Sequence, residues 1–74
     1  MPSKRESTKI KLNGEAYALD GEPQSVAQLI ESLKLKPTRV AVEINREIVA
    51  KAKYATTFFQ PGDTVEIINF VGGG

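Results

Sequence analysis

The chain has 74 residues, with ten Lys and Arg against nine Asp and Glu, and it contains neither Cys nor His. A chain of this length has room for one domain and one modest core, which argues against a large catalytic cleft. The net charge of +1 without a basic face argues against strong binding to nucleic acid, and the missing Cys and His exclude disulfides, thiolate nucleophiles, imidazole bases and metal sites built from those residues.

Residues 1–7 are polar and contain a proline, so they are predicted to form a flexible N-terminal extension. They lack the apolar middle of a signal peptide, and no apolar run in the chain approaches the roughly 20 residues needed to cross a bilayer. A cytoplasmic location is therefore the expectation.

The residues after this extension predict a β-hairpin. Ile10 and Leu12 alternate with lysines, as in a half-buried strand. Asn13–Gly14 supplies the two residues that best tolerate the positive φ angles of a type I′ turn. With that turn Ile10 lies opposite Tyr17, and the two strands place their apolar residues, including Leu19, on one face.

A helix is predicted over residues 26–35. Asp20–Pro23 breaks the preceding strand, and Ser25 with Gln28 forms a capping box for the helix start. The apolar stripe of the helix comprises Val26, Leu29, Ile30 and Leu33. Pro37 prevents the helix from continuing.

Shorter elements are predicted after the helix. Residues 40–44 alternate as a third strand, and Asn45–Arg46 predicts a turn into a short fourth segment at residues 47–50. The irregular stretch that follows predicts a turn of helix near Tyr54, with one residue of the pair Phe58–Phe59 packed inward. Core packing explains these aromatic residues better than a base-stacking platform for single-stranded nucleic acid.

The last strand completes the predicted fold. Pro61–Asp63 is a turn signal, and residues 64–70 are the most β-prone segment, with Val65 and Ile67 expected to face the helix. The order strand, strand, helix, strand, short strand, strand is of the α+β class. It corresponds to the β-grasp layout of ubiquitin-like proteins, a mixed sheet of four to five strands with one main helix on one face. The domain is predicted to span residues 8–71.

Gly72–Gly74 is predicted to be a flexible C-terminal tail and the chemical site. Glycine has no side chain and free backbone angles, so Gly72 and Gly73 suit threading through a narrow channel, and Gly74 carries the terminal carboxylate. At about 3.3–3.6 Å per extended residue, the stretch from Val71 onward reaches about 13 Å beyond the last strand.

The Gly74 carboxylate must be activated, because its charge resists attack. ATP would convert it to an acyl-adenylate, and a sulfur donor would then displace AMP and leave a thiocarboxylate. The chain lacks a glycine-rich phosphate loop with a lysine, so it is predicted not to be an enzyme, and a separate activating enzyme would use the ATP. No metal or bound cofactor is expected on this chain.

Partner enzymes must also hold the folded body, so an apolar surface is expected beside the last strand. Ile68 and Phe70, on the face predicted to point away from the helix, are the candidates for partner docking. In the alternative, Phe70 closes the edge of the core. Glu43, Arg46 and Glu66 could add charge matching, although scattered surface charges usually serve only solvation.

Three stretches of the sequence carry a family resemblance. They are Ala-Val-Glu-Ile-Asn-Arg-Glu-Ile-Val at 41–49, Pro-Gly-Asp-Thr-Val-Glu-Ile at 61–67 and Phe-Val-Gly-Gly-Gly at 70–74. With them, nearly the whole chain from Lys9 onward resembles the sulfur carrier proteins of thiamine thiazole synthesis. The resemblance implies that Gly73 and Gly74 match the family's essential terminal pair, with Gly74 carrying first the adenylate and then the sulfur.

The resemblance also implies the partners of the chain. They are a ThiF-like adenylating enzyme that uses ATP and a ThiG-like thiazole synthase that receives the sulfur. A sulfur-donating enzyme is expected as well, and the charge pattern and short apolar runs predict neither nucleic acid nor a membrane as a partner. The nearest alternative is the small sulfur carrier subunit of molybdopterin synthase, which has the same fold and Gly-Gly end. A ubiquitin-like protein modifier and a plain interaction domain are the remaining alternatives.

Overall fold

The structure is a computed structural model, and it describes residues 8–19 and 24–70. Within them, a mixed five-stranded sheet packs against one α-helix. The elements are β1 (Thr8–Leu12), β2 (Glu15–Leu19), α1 (Val26–Ser32), β3 (Val40–Ile44), β4 (Glu47–Ile48) and β5 (Thr64–Asn69), with short 3₁₀ helices at Pro37–Arg39 and Lys51–Lys53. The strand order is β2-β1-β5-β3-β4, with β1 and β5 parallel and the other neighbours antiparallel. The predicted α+β class and β-grasp order are confirmed.

Three predicted segments fall outside the described residues. They are the N-terminal extension at residues 1–7, the strand break at Asp20–Pro23 and the tail at Gly72–Gly74. These three predictions therefore stay predictions, and the described part of the domain runs from Thr8 to Phe70.

The first hairpin follows the predicted register. Asn13 and Gly14 have φ angles of 50° and 86°, as a type I′ turn requires. Ile10 lies opposite Tyr17, and Leu19 lies at the far end of the same pairing. The apolar residues of β1 and β2 therefore share one face of the sheet.

The second hairpin uses another left-handed turn, in which Asn45 and Arg46 have φ angles of 52° and 73°. The fourth segment predicted for residues 47–50 is confirmed as a strand only over Glu47–Ile48. It is shorter than predicted because a 3₁₀ helix begins at Lys51.

Helix α1 begins with the predicted capping box. The N–H of Gln28 donates to Ser25 Oγ at 3.2 Å, and the Gln28 side chain accepts from the N–H of Ser25 at 2.9 Å. The N–H groups of Val26 and Ala27 donate to carbonyls in segment 54–57 at 2.8 and 2.9 Å. The first turn of the helix is thereby tied to the irregular segment that precedes β5.

The end of α1 was predicted too late. The helix stops at Ser32 rather than at residue 35, because Lys34 adopts a left-handed conformation with φ of 63°. The N–H groups of Lys34 and Leu35 bond back to helix carbonyls at 2.9 and 3.1 Å, as in a Schellman motif. Pro37 instead opens the following 3₁₀ helix.

The core lies between α1 and one face of the sheet. Its buried apolar residues are Ile10, Leu19, Val26, Leu29, Ile30, Val40, Val42, Tyr54, Phe59, Val65 and Ile67. Phe59 is buried and Phe58 is exposed, so the prediction that one of the two packs inward is confirmed. The burial of Val65 and Ile67 confirms the predicted inner face of β5.

Candidate functional site

The strand that leads to the tail, β5, lies at the centre of the sheet between β1 and β3. The side chain of Asn13 extends its pairing beyond the end of β1. Asn13 Oδ1 accepts from the N–H of Ile67 at 2.9 Å, and Asn13 Nδ2 donates to the Ile67 carbonyl at 3.3 Å. The part of β5 from Thr64 to Ile67 therefore has hydrogen-bonding partners on both sides, whereas Ile68 and Asn69, next to the tail, pair with β3 alone.

The backbone is anchored up to the last described residue. The N–H of Phe70 donates to the Arg39 carbonyl at 2.7 Å, which fixes the end of β5 beside the start of β3. The predicted site residues Gly72, Gly73 and Gly74 lie outside the described residues, so their chemical role stays a prediction. The residues that precede this tail in the sequence, at the end of β5, are held in place by backbone hydrogen bonds.

A fixed positive charge lies beside this anchor. Lys51 Nζ donates to the Val40 carbonyl at 2.9 Å and lies 5.8 Å from the centroid of the Tyr54 ring. Desolvation by burial raises the pKa of the Tyr54 hydroxyl above its ordinary value of 10.0, so the ring stays neutral near physiological pH. Lys51 is therefore held in place next to the end of β5.

The predicted docking residues lie on the face of the sheet that points away from α1, called here the outer face. Ile68 is 48% exposed and Phe70 is 57% exposed. Phe70 therefore does not close the core edge. Ala41 on β3, which is half-buried, lies directly opposite Ile68. The outward placement of Ile68 and Phe70 is confirmed, whereas docking through them stays a prediction.

Sequence reasoning missed a pairing on the same face. Glu43 on β3 lies directly opposite Glu66 on β5, and Ile48 on β4 lies directly opposite Glu43. Arg46, which was grouped with the two glutamates, lies in the β3–β4 turn instead. Residues 43 and 66 are far apart in the sequence, and only the β3–β5 register reveals that they are cross-strand neighbours.

The aromatic residues that resemble a stacking platform are divided between core and surface. Tyr54 and Phe59 are buried in the core, and Phe58 is exposed. Because two of the three rings are occupied by core packing, no row of exposed rings is present here, and core packing is confirmed as the better explanation for that pair.

Residues 8–19 and 24–70 hold no group of three or more His, Cys, Asp and Glu side chains placed to bind a metal ion. Across the same ranges, no helix has the length and apolar content needed to span a membrane.

Comparison with known proteins gives a consistent family. The model of the ThiS family matches residues 10–74. A protein named sulfur carrier protein ThiS from Bacillus subtilis is 34% identical over 65 residues, which cover 88% of this chain and 98% of that protein. The crystal structure of thiamine biosynthesis protein ThiS from Geobacter metallireducens superposes with a TM-score of 0.76 at 32% identity, and covers 90% of this chain and 100% of that one.

Longer relatives also match. A thiazole synthase from Magnetococcus marinus is 35% identical over 66 residues, which cover 89% of this chain. A second thiazole synthase, from Paramagnetospirillum magneticum, is 39% identical over 66 residues. The chain spans only 20% of the length of each of these two relatives.

Proposed function

The chain belongs to the ThiS family, and from that premise we propose that it is a sulfur carrier protein of thiamine biosynthesis, a protein substrate rather than a catalyst. Its reactive group is the carboxylate of Gly74. A ThiF-like enzyme adenylates this carboxylate, and a ThiG-like thiazole synthase takes the sulfur from it.

The proposed chemistry begins with attack by a Gly74 carboxylate oxygen on the α-phosphorus of ATP. This attack forms the acyl-adenylate and releases pyrophosphate. Hydrosulfide supplied by a donor enzyme then attacks the acyl carbon, AMP leaves with the bridging oxygen, and loss of a proton gives a C-terminal thiocarboxylate. The ATP is used by the partner, and we propose no cofactor on this chain.

The observation that carries the proposal is the anchoring of β5. The strand lies between β1 and β3 as far as Ile67 and is held by β3 alone beyond it. The N–H of Phe70, four residues before Gly74, donates to the Arg39 carbonyl at 2.7 Å. Fully extended, those residues span roughly 13 Å, enough to enter an active site while the body stays outside. Side-chain-free glycines at 72–74 suit a narrow entrance.

The partners are proposed from the family and from the longer relatives. Two proteins named thiazole synthase contain a region similar to this chain. A carrier joined to the synthase in one polypeptide supports a working contact between this chain and a separate thiazole synthase. Ile68 and Phe70, both exposed beside the end of β5, are the proposed docking residues for the partner enzymes.

A change at Gly74 tests the proposal. We expect Gly74→Phe to leave the thermal unfolding midpoint unchanged, because the tail lies beyond the last anchored residue. We expect adenylation by the ThiF-like enzyme, followed by pyrophosphate exchange, to fall by at least about a hundredfold, because a bulky end does not pass a channel shaped for glycine. Gln60→Phe places the same side chain at the exposed residue before the turn into β5, and serves as the matched control.

The two variants separate the outcomes. Loss of exchange with Gly74→Phe and retention with Gln60→Phe support the proposal. Full activity of Gly74→Phe would contradict it, as would an intact mass from cells showing that the working protein continues beyond Gly74.

A further inference from the structure

Two asparagines in left-handed turns hold strand β5, one towards each end. Asn13 and Asn45 have φ angles of 50° and 52°. The amide of Asn45 bonds Asp63 and the N–H of Thr64, at the start of the strand. The amide of Asn13 bonds both the N–H and the carbonyl of Ile67, at 2.9 and 3.3 Å. The second pair of bonds, called here the Asn13 bridge, lies on the side of β5 from which the tail follows.

The Asn13 bridge takes the place of a strand residue where β1 has ended. The pairing of β1 with β5 stops at Val65. The backbone N–H of Asn13 donates to the Val65 carbonyl at 2.9 Å, and its side chain reaches Ile67, two residues further along. The last two residues of β5 pair with β3 alone. Among the described residues, the Asn13 bridge is therefore the last attachment of β5 on its β1 side.

Loss of this bridge would leave the end of β5 attached on one side. The stretch from Ile67 to Phe70 would then be held by β3 and could change its direction more easily. A swing of about 10° at Phe70 displaces the far end of an extended stretch of roughly 13 Å by about 2 Å. An enzyme that captures the tail must freeze out such motion, whereas a fixed base has lost that freedom beforehand and binds more tightly.

We propose that Asn13 is a positioning residue for adenylation, an inference that rests on the proposed carrier function. Its amide holds the end of β5, so that the body and the Gly74 carboxylate approach the adenylating enzyme in a fixed relative direction. Asn13 acts through the backbone of Ile67 and has no contact with the reacting atoms. The bridge therefore contributes to capture of the carrier and not to the chemical step.

Removal of the amide with retention of the turn tests the inference. Asn13→Gly leaves a Gly-Gly pair, which also suits a type I′ turn, and it removes both bonds to Ile67. We expect the KM for the carrier in ATP–pyrophosphate exchange to rise about tenfold, with kcat within about twofold, because the ordering cost is paid on binding. Hydrogen exchange at the Ile67 amide of the free chain should accelerate by at least about tenfold.

Asn45→Gly is the matched control, because it also removes two side-chain bonds of an asparagine in a left-handed turn, but at the start of β5. It should lower the urea midpoint as Asn13→Gly does, accelerate exchange at Thr64 and leave the KM within about twofold. An unchanged KM for Asn13→Gly would overturn the inference. An equal rise in both variants would do so as well, since it would show only a general loss of stability.

A second variant covers the case in which Asn13→Gly does not fold. Asn13→Asp keeps an acceptor for the Ile67 N–H and tolerates the left-handed turn, but its carboxylate cannot donate to the Ile67 carbonyl. We expect its KM to rise by at least about threefold with kcat within about twofold. A wild-type KM for this variant would equally contradict the inference.

The same measurements keep this inference separable from the carrier function. If the wild-type chain is adenylated and the Asn13 variants have its KM, the positioning inference fails and the carrier proposal stands. If the wild-type chain is never adenylated, the carrier proposal fails and the role in adenylation fails with it. Exchange at the Ile67 amide then decides separately whether Asn13 holds the end of β5.

Discussion

Asn45 holds the start of β5 through its side chain while its backbone forms a left-handed turn. Its Nδ2 donates to Asp63 Oδ1 and its Oδ1 accepts from the N–H of Thr64, each at 3.0 Å, and its φ is 52°. We expect Asn45→Gly to lower the free energy of unfolding by about 1–3 kcal/mol in a urea titration, because glycine keeps the turn but loses both bonds.

The neighbouring Arg46 provides the control. It has a φ of 73°, and none of the side-chain hydrogen bonds in the described part of the chain involves it. Arg46→Gly should therefore raise the free energy of unfolding by about 0.5–1 kcal/mol, because glycine relieves the left-handed strain. A loss of the same size from both changes would mean that backbone entropy, and not the Asn45 amide, decides the result.

Tyr54 makes stability depend on alkaline pH. Burial raises the pKa of its hydroxyl above the ordinary value of 10.0. As pH rises through 10, the unfolded chain loses this proton while the folded chain keeps it, so the free energy of unfolding should fall. We expect Tyr54→Phe to remove part of the decline in urea midpoint between about pH 9 and 11. An identical decline in the variant would contradict this assignment.

One face of strand β5 packs in the core, and the other face is exposed. Ile67 is 8% exposed and Ile68 is 48% exposed, so one chemical change made at adjacent positions separates the two roles. Ile67→Ala should lower the free energy of unfolding by about 2–4 kcal/mol, whereas Ile68→Ala should cost under about 1 kcal/mol. Ile68→Ala should instead weaken binding to the adenylating enzyme by at least about fivefold.

Urea unfolding and a titration with the partner enzyme give both quantities for each variant. Equal destabilisation by the two changes would show that Ile68 is a core residue. Unchanged binding by a folded Ile68→Ala protein would remove it from the docking surface.

At the scale of whole elements, local chemistry explains which features the sequence predicts. The Asn13–Gly14 turn and the box formed by Ser25 and Gln28 depend on neighbouring residues, so their residue types are sufficient to identify them. The end of α1 was missed because Lys34 occupies the left-handed position where glycine is usual, and so gives no sequence signal.

Pairing between distant strands limits prediction of the site. The order strand, strand, helix and three further strands is readable from periodicity, but the central position of β5 arises from contacts with β1, more than fifty residues earlier. The meeting of Glu43 with Glu66 follows from the same kind of long-range register. Isolated charges in a sequence carry no such information, so the sequence alone does not show that the two glutamates are neighbours.

At the scale of the whole molecule, the folded body and the C-terminal sequence are proposed to have different roles. The body holds β5 as its central strand, and we propose that its outer-face residues serve recognition while the sequence beyond Phe70 supplies the acyl group. The chain itself has neither Cys nor His with which to handle sulfur. Sulfur is therefore proposed to reside on the backbone carboxyl of Gly74, and other enzymes place and remove it.

The intact mass of the chain after incubation with the ThiF-like enzyme, ATP and a sulfur source tests this claim most directly, with a sample lacking ATP as the control. We predict the mass gain for exchange of one oxygen for sulfur, localised to Gly74 by fragmentation, in the ATP-containing sample alone. An unchanged mass, a modification elsewhere in the chain, or a ladder of protein conjugates would contradict it.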